Sequence, residues 1–350
     1  MAADEGWGPG EGAPTDRRES SQAPPDEDLD ARWWPDEKLG ERFRRWTTPP
    51  SNVHVNPSVV PEVLVERLAA NGIDAVGTAP KRSMPPIAPP GLSQRIAKMV
   101  DRLAEHGPNE QAPDQAALLR IGEEALPILC ARFPGRLWFS RWQAHTRPPP
   151  GRDVSGLCRT LVAFGERAVP YVADLLEAED ADTRYYATLV AIELSHPAFL
   201  RGLARLLFDT DHVTAKLALQ MLTDSARFEG YEDLVTGLRS TATSADADER
   251  SKLLAIRALA VIRDQSAVQP LITLLSGRGV LSEAASQVLR MLTLQDFGPD
   301  QARWQAWYAA HGREARQLWL GRGLEHGNPD IREIARRDLY AQQRAGQSSS

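Results

Sequence analysis

The residues best suited to chemistry are few and scattered. His54, His106, His145, His196, His212, His311 and His326 stand singly along the chain. No His-Glu-x-x-His, P-loop or Gly-x-Ser-x-Gly occurs, so the usual signatures of zinc, nucleotide and ester hydrolysis are missing. His196, His212 and His326 fall near inferred turns, where surface or capping roles are expected. Cys130 and Cys158 have no metal-ligand spacing around them and read as small buried side chains of a reducing compartment. No catalytic, metal-binding or cofactor-binding residue is therefore expected.

Aromatic rings set among arginines offer recognition instead. In "GRLWFSRWQAHTRPPPGR", Trp138 and Trp142 are four residues apart and flanked by Arg136, Arg141 and Arg147. Such a group could stack bases or grip an acidic peptide; packing between neighbouring helices is its plainer role. Further forward, "WWPDEKLGERFRRWTTPP" holds Trp33, Trp34, Phe43 and Trp46, expected anchors for a partner. Leu39, Phe43 and Trp46 share one helical face, Pro35 suits a first helical position, and Arg44 and Arg45 suit the last turn. About eleven residues, with Gly40 among them, make a helix that is marginal alone. It is expected to fold on docking, either on a partner or on the body of the chain.

Charge narrows the partner. The chain of 350 residues carries 41 Lys and Arg against 47 Asp and Glu, a net charge of -6, which argues against a general nucleic-acid binder. Residues 1–50 hold 7 of those basic and 12 of those acidic residues, so the rest is close to neutral and a local basic groove stays open. No basic leader precedes an apolar run, and nothing approaches a membrane span. A soluble cytoplasmic protein without membrane insertion is expected.

The elements that would position these residues divide in two. Residues 1–91 carry 14 of the 26 prolines and are expected to be mostly disordered, with helical islands near 35–46 and 59–71. "MPPIAPPG" supplies a stiff spacer, in which Pro86-x-x-Pro89 could meet an aromatic groove. An amphipathic helix is expected over 92–107, burying Ile96, Met99, Val100 and Leu103. From 114 to 341 helix follows helix, and 342–350 form a loose tail.

This body repeats itself. "LLRIGEEALPIL" (118–129) and "LVAFGERAVPYV" (161–172) place Gly122 and Gly165 43 residues apart, a period that marks stacked units. Each phrase reads as a corner: an apolar helix ends at Gly, and Pro127 or Pro170 opens the next. "VIRDQSAVQPLITLL" is a degraded copy in which Asp264 replaces the corner glycine and Pro270 opens the helix. A second phrase aligns Ala187, Ala255, Ala285 and Ala335, followed four residues on by Ala191, Leu259, Leu289 and Leu339. Arg184, Lys252 and Arg332 stand three before the aligned alanine, where Ser282 departs from the pattern; a further copy has Leu217 at the small position. Small residues allow close helix approach while larger ones fill between layers.

These phrases together resemble HEAT repeats, in particular the bacterial PBS-lyase HEAT-like type. "LQDFGPDQARWQAWY" with "REARQLWL" is similar to the tail of many bacterial HEAT proteins. The resemblance implies an all-α fold, an armadillo-like α-solenoid of roughly seven antiparallel helix pairs, and no single activity. Iron-binding HEAT hydroxylases rely on His-Glu pairs, and no such dipeptide occurs here. HEAT-like bilin lyases share the repeat but imply no chromophore site on these residues. HEAT-like DNA glycosylases use a cationic concave face with Trp and Asp, against which Trp138, Trp142, Trp304, Trp307 and Trp319 are weighed. For Trp304 and Trp307 the expectation is one ring in the core and the other over the terminal layer.

The expected function is a non-catalytic scaffold or adaptor that binds another protein through its solenoid surface and its N-terminal segment. Arg184, Lys252 and Arg332 would form a ladder of cations facing the partner, unless they pair with nearby carboxylates such as Asp180 or Asp182. The competing reading is a nucleic-acid-binding or DNA glycosylase-like protein, with bilin-lyase-like chemistry more distant.

Overall fold

The computed structural model describes residues 37–48, 60–70, 89–109, 113–143 and 148–347. Trp33, Trp34, Pro35, Pro86 and Arg147 lie outside the described residues.

Three helices precede the repeated body. The first two, α1 (Glu37–Thr47) and α2 (Glu62–Ala70), match the two islands legible in the sequence. The third, α3 (Pro90–Glu105), starts on Pro89 as N-cap with Pro90 in the first turn, where a missing N–H costs little. It buries Ile96, Met99, Val100 and Leu103, the face that the helical period selects.

The body continues as α4 (Pro113–Ile121), α5 (Leu126–Ala131), α6 (Gly156–Phe164), α7 (Val169–Leu175), α8 (Ala181–Leu194), α9 (Leu200–Leu206) and α10 (His212–Asp224). It ends as α11 (Tyr231–Thr243), α12 (Glu249–Val261), α13 (Val268–Leu274), α14 (Val280–Thr293), α15 (Gln301–His311), α16 (Arg316–Glu325) and α17 (Pro329–Gln347). The described residues are all-helical, apart from turns, loops and an isolated antiparallel bridge between Leu137 and Ser155. No helix among them is long and apolar enough to cross a membrane.

Packing follows two rules. Helices joined by short loops pack together: α7 with α8, α9 with α10, α11 with α12, α13 with α14, and α16 with α17. Alternate helices also pack: α8 on α6 and α10, α12 on α10 and α14, α7 on α5, and α11 on α9 and α13. The aligned Ala187, Ala255, Ala285 and Ala335 are fully buried, and Leu217, at the same place in α10, is 3% exposed. Small side chains at these positions let the alternate helices approach, and the leucines around them fill the remaining space.

The corners show how the glycines act. Gly122 and Gly165 take φ of 95° and 59°, a region closed to most side chains, and a short 3-10 turn then leads into α5 or α7. In the third corner the left-handed residue is Arg263, with φ of 57°, and not Asp264. Asp264 instead accepts from the Ser266 N–H and caps the turn. Arg263 is held there by Asp338 of α17, at 3.1 Å to both carboxylate oxygens. A long-range pair thus offsets a backbone conformation that costs about 1 to 2 kcal/mol for a residue with a Cβ.

A repeated capping motif was not legible as such from periodicity. Asp180, Asp211 and Asp248 cap α8, α10 and α12, each accepting from the backbone N–H and the hydroxyl three residues on, at Thr183, Thr214 and Ser251. α14 starts on Gly279 without a side-chain cap.

The C-terminal rings pack as expected. Trp304 and Trp319 are fully buried and Trp307 lies half-buried between them. Phe297–Trp304, Trp304–Trp307 and Trp307–Trp319 centroids lie 4.8, 6.4 and 5.1 Å apart, all edge-on, and both buried indoles donate to carbonyls, Trp304 to Gly298 and Trp319 to His311. Of the cysteines, Cys158 is fully buried and Cys130 half-buried, neither in a disulfide; burial pushes the Cys158 thiol up to about 12. His196 and His326 accept from the backbone N–H of Ala198 and Asn328 and so act as caps.

Candidate functional site

Of the residues singled out above, Arg141, Trp142, Arg184 and the α1 residues Phe43 and Trp46 lie around the N-terminal ends of α8, α10, α12 and α14; Trp138 and Arg332 lie elsewhere. The loop from Gly135 to Gln143 supplies one side. Its start is tied to the end of α3: Arg136 N–H donates to the Ala104 carbonyl at 2.7 Å, and the Trp138 indole donates to the His106 carbonyl at 2.7 Å. The Arg159 guanidinium lies over the Trp138 ring at 4.4 Å. Trp138 is therefore a half-buried tie within the fold, and its partner ring has a different role.

Trp142 is 42% exposed. Beneath it the Arg141 guanidinium stacks at 4.2 Å from the ring centroid and also faces Tyr185 at 5.3 Å. That guanidinium is almost wholly buried and bridges two carboxylates, Asp182 at 2.9 Å from Nε and Asp211 at 2.7 Å from Nη1. The loop backbone is held by Tyr186, whose hydroxyl accepts from Arg141 N–H and donates to the Phe139 carbonyl, both at 3.3 Å. Burial, the leading cause, raises the Tyr186 phenol above its ordinary value.

The network extends along the helix ends. Asp211 N–H donates to Asp209 Oδ1 at 2.9 Å. Asp209 in turn takes a bidentate pair from Arg184, at 2.7 and 2.8 Å. The Asp209 carbonyl accepts from Arg250 Nη2 at 2.7 Å, and the Phe208 carbonyl accepts from Nη1 at 3.1 Å. Nε of the same Arg250 donates to the Thr47 carbonyl of α1 at 2.9 Å. Burial lowers the Arg250 guanidinium, while Asp248 and Asp209 act the other way.

On the far side lies α1, packed on α12 and α14. Phe43 is fully buried, Thr47 is 7% exposed, and Trp46 is half-buried with its ring edge-on to Phe43 at 5.3 Å. Arg42 pairs with Glu283 of α14 at 3.1 Å, both half-exposed. Of the two docking modes open to this segment, the structure displays the one on the body of the chain.

The expected cation ladder divides. Arg184 is 2% exposed, and besides Asp209 it grips the carbonyls of Ala178 and Glu179 through Nη1, at 2.9 and 2.7 Å. Arg332 repeats that grip on the carbonyls of His326 and Gly327, at 2.7 and 2.9 Å. Both hold the turn five and six residues before themselves. Lys252 is half-buried on α12. The acid that takes Arg184 is Asp209; Asp182 pairs with Arg141, and Asp180 caps α8.

Asp209, Asp211, Arg141 in its bridging role, and Arg250 are the members that sequence reasoning missed. "FDTDHVT" did carry a signal, two acids with a capping Thr three beyond the second, and "DERS" repeats the cap with Arg250 inside it. Their long-range partners are 25 to 203 residues away, and no local pattern encodes those.

The arginines of this network are committed to carboxylates or carbonyls within the chain, and the surface they leave is an aromatic ring beside a half-exposed carboxylate. No family model matches this chain, and no curated protein matches it.

Proposed function

We propose that this chain is an α-solenoid of HEAT-like helix pairs, and that it serves as a non-catalytic scaffold binding another protein around Trp142. The alternate packing of α6, α8, α10, α12 and α14, beside α5, α7, α9, α11 and α13, supports the stacked architecture. One observation carries the functional reading: an indole 42% exposed, fixed over a guanidinium that two carboxylates neutralise. A large rigid ring above a desolvated polar anchor is the chemistry of an interface hot spot. A duplex-binding surface would need cations free to meet phosphates, and Arg141 and Arg184 are engaged with acids. The partner would bring an apolar or cationic side chain to the ring and donors to Asp182.

The test is recovery of bound protein from the native cell by the full chain and by its Trp142→Ala variant. The reading expects one specific protein with the former and its loss with the latter at unchanged melting temperature. Equal recovery by both would refute it, as would duplex DNA binding that collapses by about a thousandfold between low and moderate salt.

A further inference from the structure

We infer that the groove on α12 and α14 that holds Phe43 is a binding site for an amphipathic helix of another protein, and that α1 is its built-in competitor. This rests on the scaffold reading and adds a second site with its own occupant and control.

The chemistry the groove accepts is displayed by the helix now in it. An aromatic side chain enters fully, at Phe43, with a second ring edge-on beside it at Trp46. A basic residue one position before the buried ring reaches Glu283. The last turn presents its carbonyl to Arg250, whose guanidinium also donates to the Phe208 and Asp209 carbonyls. Pocket, carboxylate and C-terminal clamp together define a short basic helix with one aromatic anchor, met at its C-terminal end by a guanidinium as the helix dipole favours.

The present occupant buries few side chains. Of the side chains described from Glu41 to Thr48, only Phe43 and Thr47 are buried, and Thr47 donates its hydroxyl to the Phe43 carbonyl within the same helix. The ion pair to Glu283 is half-exposed; such pairs hold little. An eleven-residue helix containing Gly40 does not stand alone, so release from the groove and loss of helix are one event. The contrast with α2 is instructive: Leu64 is fully buried and fills the space that a Cβ on Gly237 of α11 would need. α2 is interlocked with the body at that contact, whereas α1 rests on α12 and α14. Covalent connection gives α1 a high effective concentration at the groove, so a foreign helix must exceed α1 in affinity or in amount.

A labelled peptide of residues 34–50 serves as the foreign helix, titrated into the full chain and into its Phe43→Ala variant by fluorescence anisotropy, with melting curves of both. We expect saturable binding to the variant at least about tenfold tighter than to the native chain, because the competitor has lost its anchor. The same peptide carrying Phe43→Ala should not bind. Should Phe43→Ala unfold the chain, a charge swap replaces it: the Glu283→Arg chain should prefer the Arg42→Glu peptide to the native peptide, reversing the native order. Equal affinity of folded native and variant chains, no saturable binding, or absence of the charge-swap preference would overturn the inference. So would a Phe43-dependent dimer of the full chain that the peptide cannot dissociate, which would assign the groove to a second copy. A chain that recovers its partner through Trp142 yet ignores the peptide would refute the groove and leave the scaffold reading standing.

Discussion

Arg184 of α8 and Asp209, in the turn before α10, form a bidentate pair at 2.7 and 2.8 Å with almost no solvent on either side chain. Asp209 also meets the Asp211 N–H, and its carbonyl meets Arg250. One acid thereby joins the N-terminal ends of three alternate helices, α8, α10 and α12. Removing one partner leaves a buried uncompensated charge, a loss of about 3 to 5 kcal/mol. Arg184→Ala should lower urea-derived stability by that order, and Arg184→Met with Asp209→Leu should lose less than the sum of the single changes. A loss below about 1 kcal/mol would class the pair with surface bridges.

Acid should loosen the capped end of α12. At Asp248 burial acts to raise the carboxyl, but the Ser251 hydroxyl and N–H outweigh it and hold it below its ordinary value. A carboxyl depressed in the folded chain stabilises above its unfolded pKa, about 3.9, and that contribution disappears as pH falls through the folded value. Asp248→Asn keeps a capping side chain and should flatten the melting profile below about pH 4. An unaltered acid limb would show that this cap does not titrate with folding.

Glu314 gives a cleaner titration. The Arg322 guanidinium, followed by His311, holds its carboxyl down to about 2. The contribution of this cluster should be complete above the unfolded value of about 4.3 and lost as the pH drops through about 2. Carboxyl NMR should follow it directly, and Arg322→Gln should move the midpoint upward. A midpoint near 4.3 in the native chain would contradict the geometry.

Gly237 separates helix propensity from packing. In an exposed helix interior Gly→Ala gains about 1 kcal/mol, but a Cβ here would lie 2.2 Å from Leu64 Cδ1. Gly237→Ala should therefore destabilise the native chain, and Leu64→Ala should relieve much of that penalty in a double-mutant cycle. Additive losses would mean that α2 does not contact α11 in solution.

Much of the fold is legible because helix period, corner glycines and small aligned residues are local signals. The buried face of α3 and both short N-terminal helices follow from spacing alone. Asp264 shows the limit: it stands where the sequence suggests a glycine substitute, yet the positive φ falls on Arg263, whose compensation comes from Asp338. The candidate site is less legible for the same reason. Trp142 and Arg141 are visible as an aromatic beside a cation, but which guanidinium is neutralised depends on Asp211, seventy residues further on. Spacing likewise presents Arg184 and Arg332 as an outward row of cations, while the first is buried and both clasp their own turns.

Hydrogen exchange of the full chain, alone and saturated with the protein it recovers, tests recognition at Trp142 most directly. The account predicts new protection over residues 137–143 and the first turns of α8 and α10, absent in Trp142→Ala. Protection confined to the far end of the chain, at α16 and α17, or unchanged by that substitution, would contradict it.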